Sequence, residues 1–130
     1  MEKTGSPSVC SGGTILLVDQ QRNTADLLKI FLRADGYNVD HTPSPSQAIE
    51  FARQSRYDMV ITELVMSGMT GIDLYREIKS LADETRFMFL LRMSAEAIRL
   101  MGSLERKDVI KKEPLSINEV ICKVRAAFYE

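Results

Sequence analysis

The sequence predicts a doubly wound α/β fold, a five-stranded parallel sheet between two layers of helices, and three observations carry that prediction. From Thr14 onward, strand-like and helix-like stretches alternate five times within 130 residues, a length suited to one domain with its own core. The stretches Ile15-Leu16-Leu17-Val18, Met59-Val60-Ile61 and Phe87-Met88-Phe89-Leu90-Leu91 are unbroken apolar runs, as strands buried on both faces must be. The helical stretches between them carry start and stop residues, and crossovers of that kind between parallel strands are right-handed.

Each element has its own local reason. Residues 1–13 hold too few apolar groups to offset the entropy of ordering, so they are expected to form a flexible tail ahead of a folded domain at 14–130. The first strand is expected at 14–19, and the helix after it closes at Asp35-Gly36, where glycine can take the left-handed conformation of a C-terminal cap. Tyr37-Asn38-Val39-Asp40-His41 alternates in polarity, which suits an edge strand with one wetter face. Ser44-Pro45-Ser46-Gln47 then opens a helix with a hydroxyl cap, proline at the first position and an amide at the third. The third strand, 58–63, leads into a helix opened by Thr70-Gly71-Ile72-Asp73. A fourth strand at 87–93 and a short helix at about 95–104 follow, then a fifth strand at 108–111. Ser116-Ile117-Asn118-Glu119 opens the last helix, whose Ile117, Val120, Ile121, Val124 and Phe128 share one face.

Composition narrows the function. A net charge of −1, with Lys and Arg spread along the chain, gives no general attraction to nucleic acid or to an anionic membrane. No apolar run approaches the roughly 18 residues of a membrane span, and the N-terminus lacks the apolar core of an export signal, so a cytoplasmic location is expected. Cys10 and Cys122 fit neither a disulfide framework nor a metal motif. There is no nucleophile–base pair or zinc cluster, so the chain is not expected to be an enzyme. The loop Gln20-Gln21-Arg22-Asn23-Thr24 has no glycine for close approach to a phosphate, which argues against a nucleotide or flavin binder.

In an open parallel sheet, chemistry gathers where the strands end, beside the point at which strand order reverses. The residues there are Asp19 and Gln20, Glu63, Ser94, and Lys112 or Glu113. With Ile15-Leu16-Leu17-Val18-Asp19, Tyr57-Asp58-Met59-Val60-Ile61-Thr62-Glu63 and the loop Leu64-Val65-Met66-Ser67-Gly68-Met69-Thr70-Gly71, they resemble the receiver domains of bacterial response regulators, from Thr14 to about Phe128. The resemblance implies a flavodoxin-like, three-layer sandwich of (βα)5 type and a role in two-component phosphorelay signalling. In that family an acidic pair and an acceptor aspartate hold Mg²⁺ together with a backbone carbonyl, here that of Val65. A strand-ending hydroxyl, here Ser94, and a lysine near a proline, here Lys112, bind the phosphoryl group.

Against that pattern the chain departs at three places. The acceptor position holds Glu63, one methylene longer than aspartate, and in-line attack tolerates little displacement. Gln20 replaces the second acid, leaving Asp19 and Glu63 as the side-chain metal ligands and predicting weak or absent Mg²⁺ binding. In Lys111-Lys112-Glu113-Pro114 a glutamate precedes the proline, so either Lys112 serves through a one-residue bulge or the lysine is missing. The fifth strand also has no aromatic residue to carry a phosphorylation signal. Arg92 interrupts the fourth strand; it either turns out to solvent or ends the strand and pairs with Glu63. His41 and Cys122 read as structural, whereas Lys123, Arg125, Glu105, Lys107 and Asp108 form either a solvated surface or a set of ion pairs across a homodimer. The expectation is a degenerate receiver, a pseudo-receiver, acting by contact with signalling partners; the alternative is a working receiver that uses Mg²⁺ and a histidine kinase. Such a chain is either a stand-alone regulator or a segment of a longer protein.

Overall fold

A computed structural model of the protein describes residues 13–129. The expected tail, with Cys10, lies outside the described residues except for Gly13. The elements run β1 (Thr14–Val18), α1 (Arg22–Ala34), β2 (Asn38–Thr42), α2 (Pro45–Gln54), β3 (Met59–Glu63), α3 (Gly71–Leu81), β4 (Arg86–Leu91), α4 (Ala95–Met101), β5 (Val109–Lys111) and α5 (Ile117–Tyr129), with a 3-10 turn at Arg106–Asp108 ahead of β5. All strand pairs are parallel and the sheet order is β2-β1-β3-β4-β5, the flavodoxin-like doubly wound arrangement. Strand order reverses between β1 and β3.

Alternation along the strands divides the core in two. Ile15 and Leu17, Met59 and Ile61, Met88 and Leu90, and Ile110 face α1 and α5, meeting Leu28, Leu32, Val120 and Val124. Leu16 and Val18, Val60, and Phe87, Phe89 and Leu91 face the other way, against Ala48, Leu74, Ile78 and Ala97 of α2, α3 and α4. β2 forms an edge, as its alternating sequence requires, although it runs one residue later than expected because Tyr37 is drawn into the core against Phe128, ring centroids 5.0 Å apart.

Most of the helix boundaries follow their caps. Gly36 takes φ +101° after α1, and the Ser44 hydroxyl accepts from the Gln47 N–H at 3.1 Å. Thr70 and Asp73 close a reciprocal capping box at α3. The Ser116 hydroxyl accepts from the Glu119 N–H at the start of α5.

Several boundaries need correction: β1 ends at Val18 and not at residue 19, β3 begins at Met59 and not at residue 58, β4 begins at Arg86 and not at residue 87, and α4 stops at Met101 short of residue 104. β4 ends at Leu91 rather than at residue 93, because the apolar run stops there and the Arg92 guanidinium leaves for solvent. Asp108, expected in β5, belongs to the 3-10 turn, so β5 is only three residues long.

Gly71 fixes how closely α3 approaches β3. A Cβ on it would stand 2.6 Å from the Glu63 carbonyl oxygen and 3.2 Å from Leu64 Cα, both backbone atoms that cannot rotate away. Gly71→Ala is therefore expected to lower stability by about 1–3 kcal/mol, seen as an earlier midpoint in urea. An unchanged midpoint would mean that α3 can retreat from Glu63 without loss.

Candidate functional site

Period-two alternation brings the site together. Asp19 continues the Ile15–Leu17 face, Glu63 the Met59–Ile61 face, and Lys112 lies two residues beyond Ile110, so all three side chains leave the sheet on the same side. The register pairs Val18 with Thr62, which sets Asp19, just past β1, beside Glu63, the last residue of β3. The Lys112 N–H donates to the Leu91 carbonyl at 2.8 Å, anchoring the residue beyond β5 as the chain turns into the cis Glu113–Pro114 bond.

The result is a buried three-residue ion cluster. Lys112 Nζ donates to Asp19 Oδ1 at 2.9 Å and to Glu63 Oε2 at 2.9 Å. Asp19 is fully buried, and Glu63 and Lys112 are only 5% and 6% exposed. The second Glu63 oxygen, Oε1, accepts from the Gln20 N–H at 2.7 Å. Asp19 Oδ1 also accepts from the Gln21 N–H at 2.8 Å, whereas Asp19 Oδ2 is buried with no hydrogen-bond partner among the described residues. Burial raises the Asp19 carboxyl above its ordinary range, and the Gln21 N–H and the Lys112 hydrogen bond only partly oppose it. His41 Nε2 lies 3.0 Å from the Asp19 carbonyl oxygen, tying the edge strand to the same turn.

Gln20 has a different task from an acid at that position. Its side-chain oxygen accepts from the Ser67 N–H at 3.1 Å, and its amide nitrogen lies 3.5 Å from the Ser67 carbonyl oxygen. The amide thus clips the β3–α3 loop to the β1 end, with Gly68 at φ +94° allowing the loop to turn. Nothing in the sequence alone singles out this pairing, because either residue by itself is an ordinary polar loop residue.

The other expected site residues fall elsewhere. Ser94 stands three residues past the end of β4, exposed, and its hydroxyl accepts from the Ala97 N–H at 3.0 Å as the N-cap of α4. Arg92 pairs with Glu113 at 3.2 Å, both side chains well exposed, so the cation on Glu63 is Lys112 and not Arg92. Val65 is half-buried in the loop after β3. Arg125 pairs with Asp35 of its own chain, and Lys123 with Glu119.

The donor set does not fit Mg²⁺ as it stands. The ammonium holds the space between the two carboxylates, and the Gln20 oxygen is spent on Ser67. Of the Asp19, Gln20 and Glu63 side-chain oxygens, only Asp19 Oδ2 has no partner among the described residues, whereas a hard divalent ion requires near-octahedral oxygen coordination. Among the described residues, no three His, Cys, Asp or Glu side chains come together as a ligand set.

A flavodoxin-like sheet with a carboxylate–lysine cluster past its strand ends defines a class, the signalling receivers. The chain belongs to the response regulator receiver domain family, whose pattern matches residues 15–125. It is 30% identical over 112 residues to the transcriptional regulatory protein ResD of Bacillus subtilis, covering 86% of this chain and 46% of that protein. It is 32% identical over 114 residues to the DNA-binding response regulator MtrA of Mycobacterium tuberculosis, covering 86% and 49%. The chain thus spans about half the length of these regulators. Chemotaxis protein CheY4 of Vibrio cholerae shares the fold with a TM-score of 0.75 at 19% identity, covering 88% of this chain and 97% of that one. No helix among the described residues is long and apolar enough to cross a membrane.

The cluster makes opposite forecasts for its members. Lys112→Met leaves two buried carboxylates facing each other and is expected to cost about 3–5 kcal/mol, less once acid protonates one of them. Asp19→Asn keeps the Lys112–Glu63 pair and should cost far less at neutral pH. The folded-state pKa of Asp19 lies above its unfolded value, so its contribution is full below the ordinary carboxylate range and is lost as pH rises through the raised value. Urea unfolding across that window should show the parent losing stability relative to Asp19→Asn as pH rises. Parallel curves would mean that Asp19 is not perturbed by its burial.

Proposed function

We propose that this receiver domain is a pseudo-receiver, which signals by protein contact and does not cycle through an acyl phosphate. The observation that carries the reading is the full engagement of Glu63. Oε2 is held by the Lys112 ammonium and Oε1 by the Gln20 N–H, in a pocket that is almost closed to solvent. Attack on a phosphodonor would require one oxygen to leave its partner and the longer side chain to find an in-line path. Ser94, where the family resemblance implies a phosphate-binding hydroxyl, instead caps α4.

In this reading the domain is a binding module and not an enzyme, working in the cytoplasm. Its partners are signalling proteins, namely a kinase, an output protein or a second copy of the chain, meeting the face made by α4, β5 and α5. The greater length of ResD and MtrA fits a receiver that is read by an attached or separate output region.

Incubation with acetyl phosphate and Mg²⁺, read by intact mass, is expected to give no phosphoryl adduct on the parent protein or on Glu63→Ala. Glu63→Asp alone should gain little, and Glu63→Asp with Gln20→Asp should bind Mg²⁺ more tightly than the parent. An adduct on the parent that disappears in Glu63→Ala would make Glu63 a working acceptor and the chain an active phosphorelay receiver.

A further inference from the structure

We infer that the groove between α3 and the segment leading into β5 is a docking site for an acidic, extended peptide bearing aromatic or large aliphatic anchors. The groove has a volume of about 750 Å³ and lies on the α3 face of the sheet with Phe87 and Phe89, whereas the Asp19, Glu63 and Lys112 side chains leave on the opposite face. The inference therefore stands apart from how Glu63 behaves.

Three independent features select this occupant. The first is an aromatic floor: Tyr75 packs edge-on against Phe87 at 5.0 Å, Phe87 stacks on Phe89 at 6.0 Å, and Tyr75 stays 38% exposed. A peptide ring or leucine laid there gains contact that water does not provide.

Charge is the second. Arg76, Lys79 and Arg86 line the α3 side of the groove. Arg76 has one loose acidic neighbour, Asp73 at 3.9 Å, with both side chains exposed. Lys79 donates to the neutral Asp83 carbonyl and sits 5.7 Å from the Tyr75 ring centroid, and Arg86 has no acidic side chain within ion-pair distance among the described residues. Across the groove stand Glu105, with Lys107 at 3.9 Å, and Asp108, so Arg76, Lys79, Arg86 and Lys107 outnumber the two lining carboxylates. The surplus is positive and lies beside the aromatic patch, so the complementary ligand is anionic.

The third feature is the strand edge. β5 pairs only with Phe89, Leu90 and Leu91, so no β5 residue lies beside Arg86, Phe87 and Met88. At that edge Arg86 and Met88 turn their backbone groups toward β3, as the bond from the Arg86 N–H to the Asp58 carbonyl requires, so the Phe87 backbone faces outward and offers one point at which an extended segment can be held beside the aromatic floor.

Fluorescence anisotropy with the full chain tests this, using a short fluorescein-labelled peptide of alternating aspartate and phenylalanine. Saturable binding is expected, weakened at least about tenfold by Arg76→Glu with Arg86→Glu, and unchanged by Arg22→Glu on α1. Probes with lysine in place of aspartate, or serine in place of phenylalanine, should bind at least about tenfold more weakly. Absence of saturable binding, equal binding of either substituted probe, or an equal loss in Arg22→Glu would overturn the assignment.

Discussion

The Lys112 ammonium has to satisfy two buried carboxylates at once, and the geometry around the strand ends follows from that demand. An isolated buried charge is far too costly to hold, and a buried pair survives only when its remaining hydrogen-bond positions are filled. Here one cation serves Asp19 and Glu63, so the cluster keeps one surplus negative charge. Backbone N–H groups of Gln20 and Gln21 take up part of it, one on each acid. Asp19 is the less satisfied acid: its Oδ2 has no partner among the described residues, and burial first, with the nearby Glu63 charge, pushes its carboxyl upward.

Holding those groups in place depends on a chain of local contacts. The Glu63 backbone is pressed by Gly71, Gly71 is placed by the Thr70–Asp73 capping box, and the loop between them is clipped to β1 through Gln20 and Ser67. Gln20 stands where the family resemblance puts an acid, and its amide is committed to the Ser67 backbone, as the Thr70 hydroxyl is to the Asp73 N–H. At both positions the side chain holds the loop after β3 or the start of α3. That consistency across neighbouring residues is what a settled local structure looks like.

Much of this was legible before the structure. Continuous apolar runs and clean caps determine the sheet and most helix boundaries, and the strand ends mark Asp19, Glu63 and Lys112 as site candidates. Two things were not legible. Whether Lys112 or Arg92 neutralises Glu63 depends on where β4 stops, a question of one or two residues that an apolar run ending in Arg92-Met93-Ser94 does not decide. The answer came from Glu113, which draws Arg92 outward at 3.2 Å and leaves Lys112 as the inward cation. The Gln20–Ser67 clip was hidden for another reason: it joins two unremarkable polar residues that are close only once the fold is formed.

The charge count also bears on whether Glu63 could imitate an aspartyl phosphate. A phosphoryl group brings about two negative charges and three acceptor oxygens, enough to draw a hydroxyl and a lysine toward it at the same time. Glu63 brings one charge and two oxygens, and both oxygens already have donors within the cluster. Nothing remains to pull Ser94 out of its cap on α4, where breaking the bond to the Ala97 N–H would itself cost about 1 kcal/mol. β5, with Val109, Ile110 and Lys111, offers no ring whose rotation would carry such a pull to the surface. On the proposed reading, then, the glutamate does not hold the domain in an activated state; it holds the strand ends in one arrangement, and any change in what the surface presents must come from a partner.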